Sequence, residues 1–107
     1  MAAGLVARFD VYSRISGGPV LLLDVQSDIL QILDTRIVVP LAPQQTFKTQ
    51  PLLRRLNPIV TVEALPYVLV TTGLGAARIV DLGTPIGNVE KQRQTVIDAI
   101  DFLLQGF

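Results

Sequence analysis

Polar and apolar residues alternate along Arg8-Phe9-Asp10-Val11-Tyr12-Ser13-Arg14, the period of a half-buried strand, and Ser16-Gly17-Gly18-Pro19 behind it reads as a turn. Val20 to Val25 is almost continuously apolar between turn residues and too short for a helix, which predicts a strand covered on both faces. Arg36-Ile37-Val38-Val39-Pro40-Leu41 repeats the pattern, with Pro40 expected to confine it to a sheet edge or a bulge. The intervening segment, Gln26 to Thr35, is expected to be a loop that packs or binds: Ser27 and Asp28 favour a turn, and Ile29, Leu30, Ile32 and Leu33 supply apolar contacts.

Ala42 to Leu56, with Pro43, Pro51 and the pair Arg54-Arg55, reads as a connection holding about one helical turn. Ile59–Ala64 and Tyr67–Thr72 are predicted antiparallel neighbours joined at Leu65-Pro66, and Arg78–Leu82 a further strand after the turn Gly73-Leu74-Gly75. Thr84-Pro85-Ile86-Gly87-Asn88 is expected to end the strand region, with Asn88 as helix N-cap and Glu90 in the first turn. Short strands in close succession argue for a mainly β fold, a small antiparallel barrel or sheet pair, followed by a C-terminal α-helix.

That helix is predicted to run to about Leu104. Val89, Val96, Ile97, Ile100, Leu103 and Leu104 fall on one stripe that would seat it on the barrel, Arg93 would snorkel outward, and Gly106 would stop it. The opposite face carries Asp98, Asp101 and Gln105, with Phe102 beside them and pointing away from the stripe. Solvation is the ordinary use of such a face, and the apolar Phe102 and Phe107 shift it toward binding.

At 107 residues the chain predicts one domain, residues 8–107, behind a loose leader, residues 1–7. Half of the residues are hydrophobic and 17% charged, more apolar surface than one small barrel can hide, so a homodimer is expected. Nine basic and nine acidic side chains cancel, which disfavours direct nucleic-acid binding. No apolar run approaches the ~20 residues that span a bilayer, and the leader lacks a basic start, so a cytoplasmic location is expected.

The sequence has no histidine and no cysteine, which removes thiol nucleophiles, the usual zinc ligands and the commonest general base. Ser13, Ser16 and Ser27 would need a lysine base, and Lys48 and Lys91 stand in no Ser-x-x-Lys arrangement. Asp24 and Asp28 flank a strand exit where carboxylates commonly cap local backbone. Gly73-Leu74-Gly75 lacks the third glycine and the following helix of a dinucleotide fingerprint. The expectation is therefore a chain without intrinsic catalysis, cofactor or metal.

Asp24-Val25-Gln26-Ser27-Asp28-Ile29, the strand Ile37-Val38-Val39-Pro40-Leu41, Asn57-Pro58-Ile59-Val60, Thr71-Thr72 and Ala99-Ile100-Asp101-Phe102-Leu103 together resemble the CcdB family of toxins over nearly the whole domain. The resemblance implies an SH3-like barrel with a C-terminal helix, a two-fold dimer, and a toxin neutralised by a CcdA-like antitoxin. It also implies binding to the A subunit of DNA gyrase, trapping the enzyme on cleaved DNA so that double-strand breaks persist. The family's poisoning residues correspond to Asp98, Asp101, Gln105, Gly106 and Phe107, with Ile29 and Leu30 near the same surface. Gln105 stands where a tryptophan is expected, and Phe107 where an isoleucine is. Related toxins use the same barrel to cleave messenger RNA, so an endoribonuclease relying on arginines such as Arg8, Arg14, Arg36 and Arg78 is the alternative. A relative that dimerises but has lost its target is a third.

Overall fold

A computed structural model describes residues 6–47 and 53–106. Seven strands form one curled antiparallel sheet, an SH3-like half-barrel: β1 (Asp10–Arg14), β2 (Leu21–Asp24), β3 (Thr35–Pro43), β4 (Ile59–Val62), β5 (Leu65–Leu69), β6 (Gly75–Arg78) and β7 (Leu82–Asn88). Among the described residues there is one α-helix, α1, which spans Arg93–Gln105. The strand order is β4-β5-β3-β2-β1-β7, and β6 pairs separately with β3.

β3 is central, where Pro40 was expected to confine it to a sheet edge or a bulge. One flank pairs along β2, while the other is shared: Thr35–Val38 pairs with β6 and Leu41–Pro43 with β5. Pro40 falls in the gap between those two partners, where its carbonyl accepts from the Val70 N–H at 2.9 Å. Carbonyl and nitrogen of one strand residue face the same way, so the nitrogen without a proton faces the gap and no ladder bond is lost.

Three further expectations are corrected. The β4–β5 turn is Glu63-Ala64, at φ 51° and 65°, not Leu65-Pro66, which lies inside β5. Two successive positive φ angles match the right-handed twist of a two-residue hairpin. The strand expected at Arg78–Leu82 is a 3₁₀ turn, Ile79–Asp81, and the segment expected to end the strand region is β7 itself. β7 tolerates Pro85 because it lies at the end of the sheet, pairing only with β1, with register shifts on either side of the Tyr12–Pro85 pair. Gly83 is required there: a Cβ would sit 2.5 Å from the Ser13 carbonyl oxygen.

The inner face of the sheet buries Val11, Leu23, Val39, Leu41, Val60 and Leu69 against Val96 and Ala99 of α1. The outer face has its own cluster of Val6, Tyr12, Val38 and Leu82. Val6 is thereby buried, and the Ala7 N–H donates to Asp10 Oδ2 at 2.9 Å, so the end of the expected leader is tied to the barrel. Residues 1–5 lie outside the described residues. β1 starts at Asp10 rather than Arg8 because Phe9 adopts φ 73° and turns its ring into the core. Bonds from the Phe9 N–H to Asp24 O at 2.7 Å and from the Val89 N–H to Phe9 O at 2.9 Å hold that conformation.

Asn88, expected as the N-cap of the helix, does not cap α1, which follows Gln92: a 3₁₀ turn, Glu90–Gln92, intervenes, and Asn88 Oδ1 accepts from the Glu90 N–H at 2.8 Å. Gly106 ends the helix as expected, at φ 79°, its N–H donating to Phe102 O at 2.8 Å. No helix among the described residues is long and apolar enough to cross a membrane.

Candidate functional site

The last turns of α1 leave Asp98, Asp101, Gln105 and Gly106 exposed. Phe107 lies outside the described residues. Asp98 accepts from its helical neighbour Gln94, Nε2 to Oδ1 at 2.7 Å. Asp101 stands close to the negative end of the helix dipole, where a carboxylate opposes helix stability, so the position is not explained by what it does for the helix.

Across from these carboxylates runs the turn carrying Arg54 and Arg55. With Pro58 and Thr95 they line a cleft of about 400 Å³ that also includes Asp98 and Asp101. The Arg55 guanidinium lies over the Phe102 ring, 4.3 Å from its centroid. Phe102 is consequently half-buried under an arginine rather than free on the polar face, while Leu104, expected on the core stripe, is 69% exposed. The helix begins to leave the barrel within its last turn, and apolar phase alone did not register that departure.

Ile29 and Leu30 occupy a separate element, the 3₁₀ turn Asp28–Leu30, at 85% and 43% exposure. Ile32 and Leu33 follow at 92% and 45%, so four large apolar side chains project from one short loop. Its side-chain hydrogen bonds run toward the chain start: the Arg8 N–H donates to Asp28 Oδ1 at 2.7 Å, and Gln31 Nε2 to Val6 O at 2.7 Å. The structure thus places Asp98, Asp101 and Gln105 on one helix end and Ile29 and Leu30 on a loop with its own anchors.

Beneath that loop is a charge network that patterning did not reveal. Arg36, one of the arginines the RNA-cleaving alternative would rely on, is fully buried and grips Asp24 with two bonds, Nε to Oδ2 at 2.6 Å and Nη2 to Oδ1 at 3.0 Å. Nη2 also donates to Gln26 O at 3.1 Å, while Gln26 Oε1 accepts from the Ile37 N–H and its Nε2 donates to Leu30 O. Asp24 does cap local backbone, accepting from the Gln26 N–H at 3.0 Å. Burial pushes its carboxyl up from the usual range, and Arg36 and the Gln26 N–H pull it back. The Tyr12 phenol, bonded to Asp10 Oδ2 at 3.3 Å, is raised above its ordinary value by burial first and by Asp10 second.

The other arginines divide. Arg14 and Arg78 are exposed and share a groove of about 560 Å³ with Ser16, Leu22 and Asp81. Arg36 has no exposed surface and cannot touch a macromolecular substrate.

Among solved structures, 35 chains match this fold. One, described as an endoribonuclease from a mycobacterial species, has a TM-score of 0.71 at 15% identity, covering 92% of this chain and 90% of that chain. No curated protein matches the sequence. A family model described as CcdB protein matches residues 8–106. The chain belongs to the CcdB family. As a CcdB protein it is the toxin of a toxin–antitoxin pair, and an antitoxin is its partner. The expectation of a chain without catalysis is corrected: its fold is shared almost end to end with a chain named for RNA cleavage. The lack of histidine and cysteine removes two kinds of catalytic group, not catalysis as such, because arginine, serine and carboxylate groups remain.

Proposed function

We infer that this CcdB protein binds the A subunit of DNA gyrase and traps the enzyme on cleaved DNA, so that double-strand breaks persist. The observation that carries this reading is the last turns of α1, where Asp98, Asp101, Gln105 and Gly106 are exposed beside an arginine-bearing turn. A helix anchored on the barrel through Val96 and Ala99 can offer its end to a partner with little loss of conformational freedom. Ile29 and Leu30, with their apolar neighbours, provide area that a partner can desolvate. On this reading the toxin acts in the cytoplasm as a homodimer, and a CcdA-like antitoxin covers it. The test is DNA cleavage by purified gyrase with and without the protein: accumulation of linear DNA supports the reading, and unchanged cleavage contradicts it.

A second reading, ribosome-independent cleavage of messenger RNA, is favoured by the fold shared with the mycobacterial endoribonuclease. In this chain the groove between Arg14 and Arg78 offers two cations for a phosphate and Ser16 and Asp81 for proton transfer. Incubation of purified protein with RNA tests it, since fragments lost in an Arg14→Ala/Arg78→Ala variant would favour this reading.

A further inference from the structure

We propose that Arg54 and Arg55 belong to the target-binding surface and that the segment they receive carries both signs of charge: a carboxylate for the two arginines and a cation for Asp98 and Asp101. This rests on the reading of gyrase A as the target and extends it to residues on a different element of the chain.

The geometry of the cleft points there. Its walls are of opposite charge, Arg54 and Arg55 on the turn and Asp98 and Asp101 on α1. The ion pairs among the described residues join Arg36 to Asp24 and Asp28, and Arg93 to Glu90; none crosses this cleft. The Asp98 hydrogen bond runs along its own helix, and Arg55 engages a ring face and not a carboxylate. Leaving such groups unpaired costs little in the free protein, because an exposed ion pair contributes only about 0–1 kcal/mol. Once a partner excludes water, the same groups make shorter and stronger charge-assisted bonds. With a net charge of zero, the toxin has no global field to attract a partner, so local walls of opposite sign set register. The Phe102 stack fixes Arg55 in place, and that pre-organisation lowers the ordering cost on binding.

The experiment measures binding of the full-length protein to purified gyrase A subunit at low and high salt, for wild type, Arg54→Glu and Arg55→Glu, with thermal melts alongside. The expected result is wild-type binding, a loss of about ten-fold or more in each variant at low salt, and a weaker salt dependence in both. Melting should be unchanged for Arg54→Glu, which leaves the Phe102 contact intact; if Arg55→Glu melts lower, Arg54→Glu alone decides. Variants that bind as tightly as wild type at both salt concentrations overturn the assignment of the arginines while leaving gyrase as target. No binding by the wild type overturns the target, and this assignment with it.

Discussion

Gln92 completes the edge of the sheet at Thr61: its Oε1 accepts from the Thr61 N–H at 2.9 Å and its Nε2 donates to the Thr61 carbonyl at 2.8 Å. One side-chain amide thus takes the place of a neighbouring strand on β4, the terminal strand of the sheet. Gln92 immediately precedes α1, so the bridge also fixes where the helix starts and the direction in which its far end points. An open edge is a template for unwanted pairing, and a side chain that occupies both groups blunts it.

Gln92→Ala is expected to lower stability by about 1–2 kcal/mol, the net worth of two hydrogen bonds at an exposed site. Gln92→Glu should be at least as harmful, because a carboxylate oxygen then faces the Thr61 carbonyl. Urea denaturation of the three proteins checks this, and equal midpoints would show that the bridge carries no stability.

Breaking the buried pair should cost far more. Arg36→Ala leaves Asp24 buried without its cation, and a loss of about 3–5 kcal/mol is expected. Arg36 Nη1 is buried without a hydrogen-bond partner, so the native pair is itself imperfect. Asp24→Leu/Arg36→Met is therefore expected to recover most of the loss by replacing both charges with apolar groups. Denaturant unfolding of the single and double variants tests both statements, and a double variant no better than the single would contradict them.

Alkaline pH should weaken the fold through Tyr12. Its pKa in the folded state is raised above the ordinary 10.0, so above about pH 10 the unfolded chain releases this proton first and stability falls as pH rises toward the folded-state value. Below that range the contribution is fully present. Tyr12→Phe should flatten the decline of stability across the alkaline range, and an unchanged pH profile would remove Tyr12 as the cause.

Loop residues should separate stability from binding. Ile29→Ser changes a side chain that is 85% exposed, so unfolding free energy is expected to move by no more than about 0.5 kcal/mol while toxicity falls. The readouts are thermal melting and survival of cells expressing the variant. A large drop in melting temperature would place Ile29 in the fold rather than at the target.

The parts of the fold legible in the sequence are those governed by local period. β1, β2 and β3 show alternating or continuous apolar patterns, and α1 shows a helical stripe ended by Gly106. What escaped depends on contacts distant in sequence. Pro40 marks an edge by its local chemistry, yet sits inside the sheet because two short strands share one flank of β3. β7 was hidden by Thr84-Pro85, which only the sheet end and the bulge at Tyr12 make tolerable. Asp98 and Asp101 were readable because they share a helix face. Arg54 and Arg55 were not, because a turn has no period to announce which element it will oppose. The burial of Arg36 was not readable, because nothing local shows that Asp24, twelve positions earlier, will receive it in the interior.

The most direct measurement is gyrase-mediated DNA cleavage with purified wild-type protein and an Asp98→Lys/Asp101→Lys variant, each shown by circular dichroism to be folded. Wild type should increase linear DNA in proportion to protein added. The variant should melt no lower than wild type and leave cleavage at the level of gyrase alone. Equal cleavage with both proteins, or no increase with either, would contradict the helix end as the gyrase-binding surface.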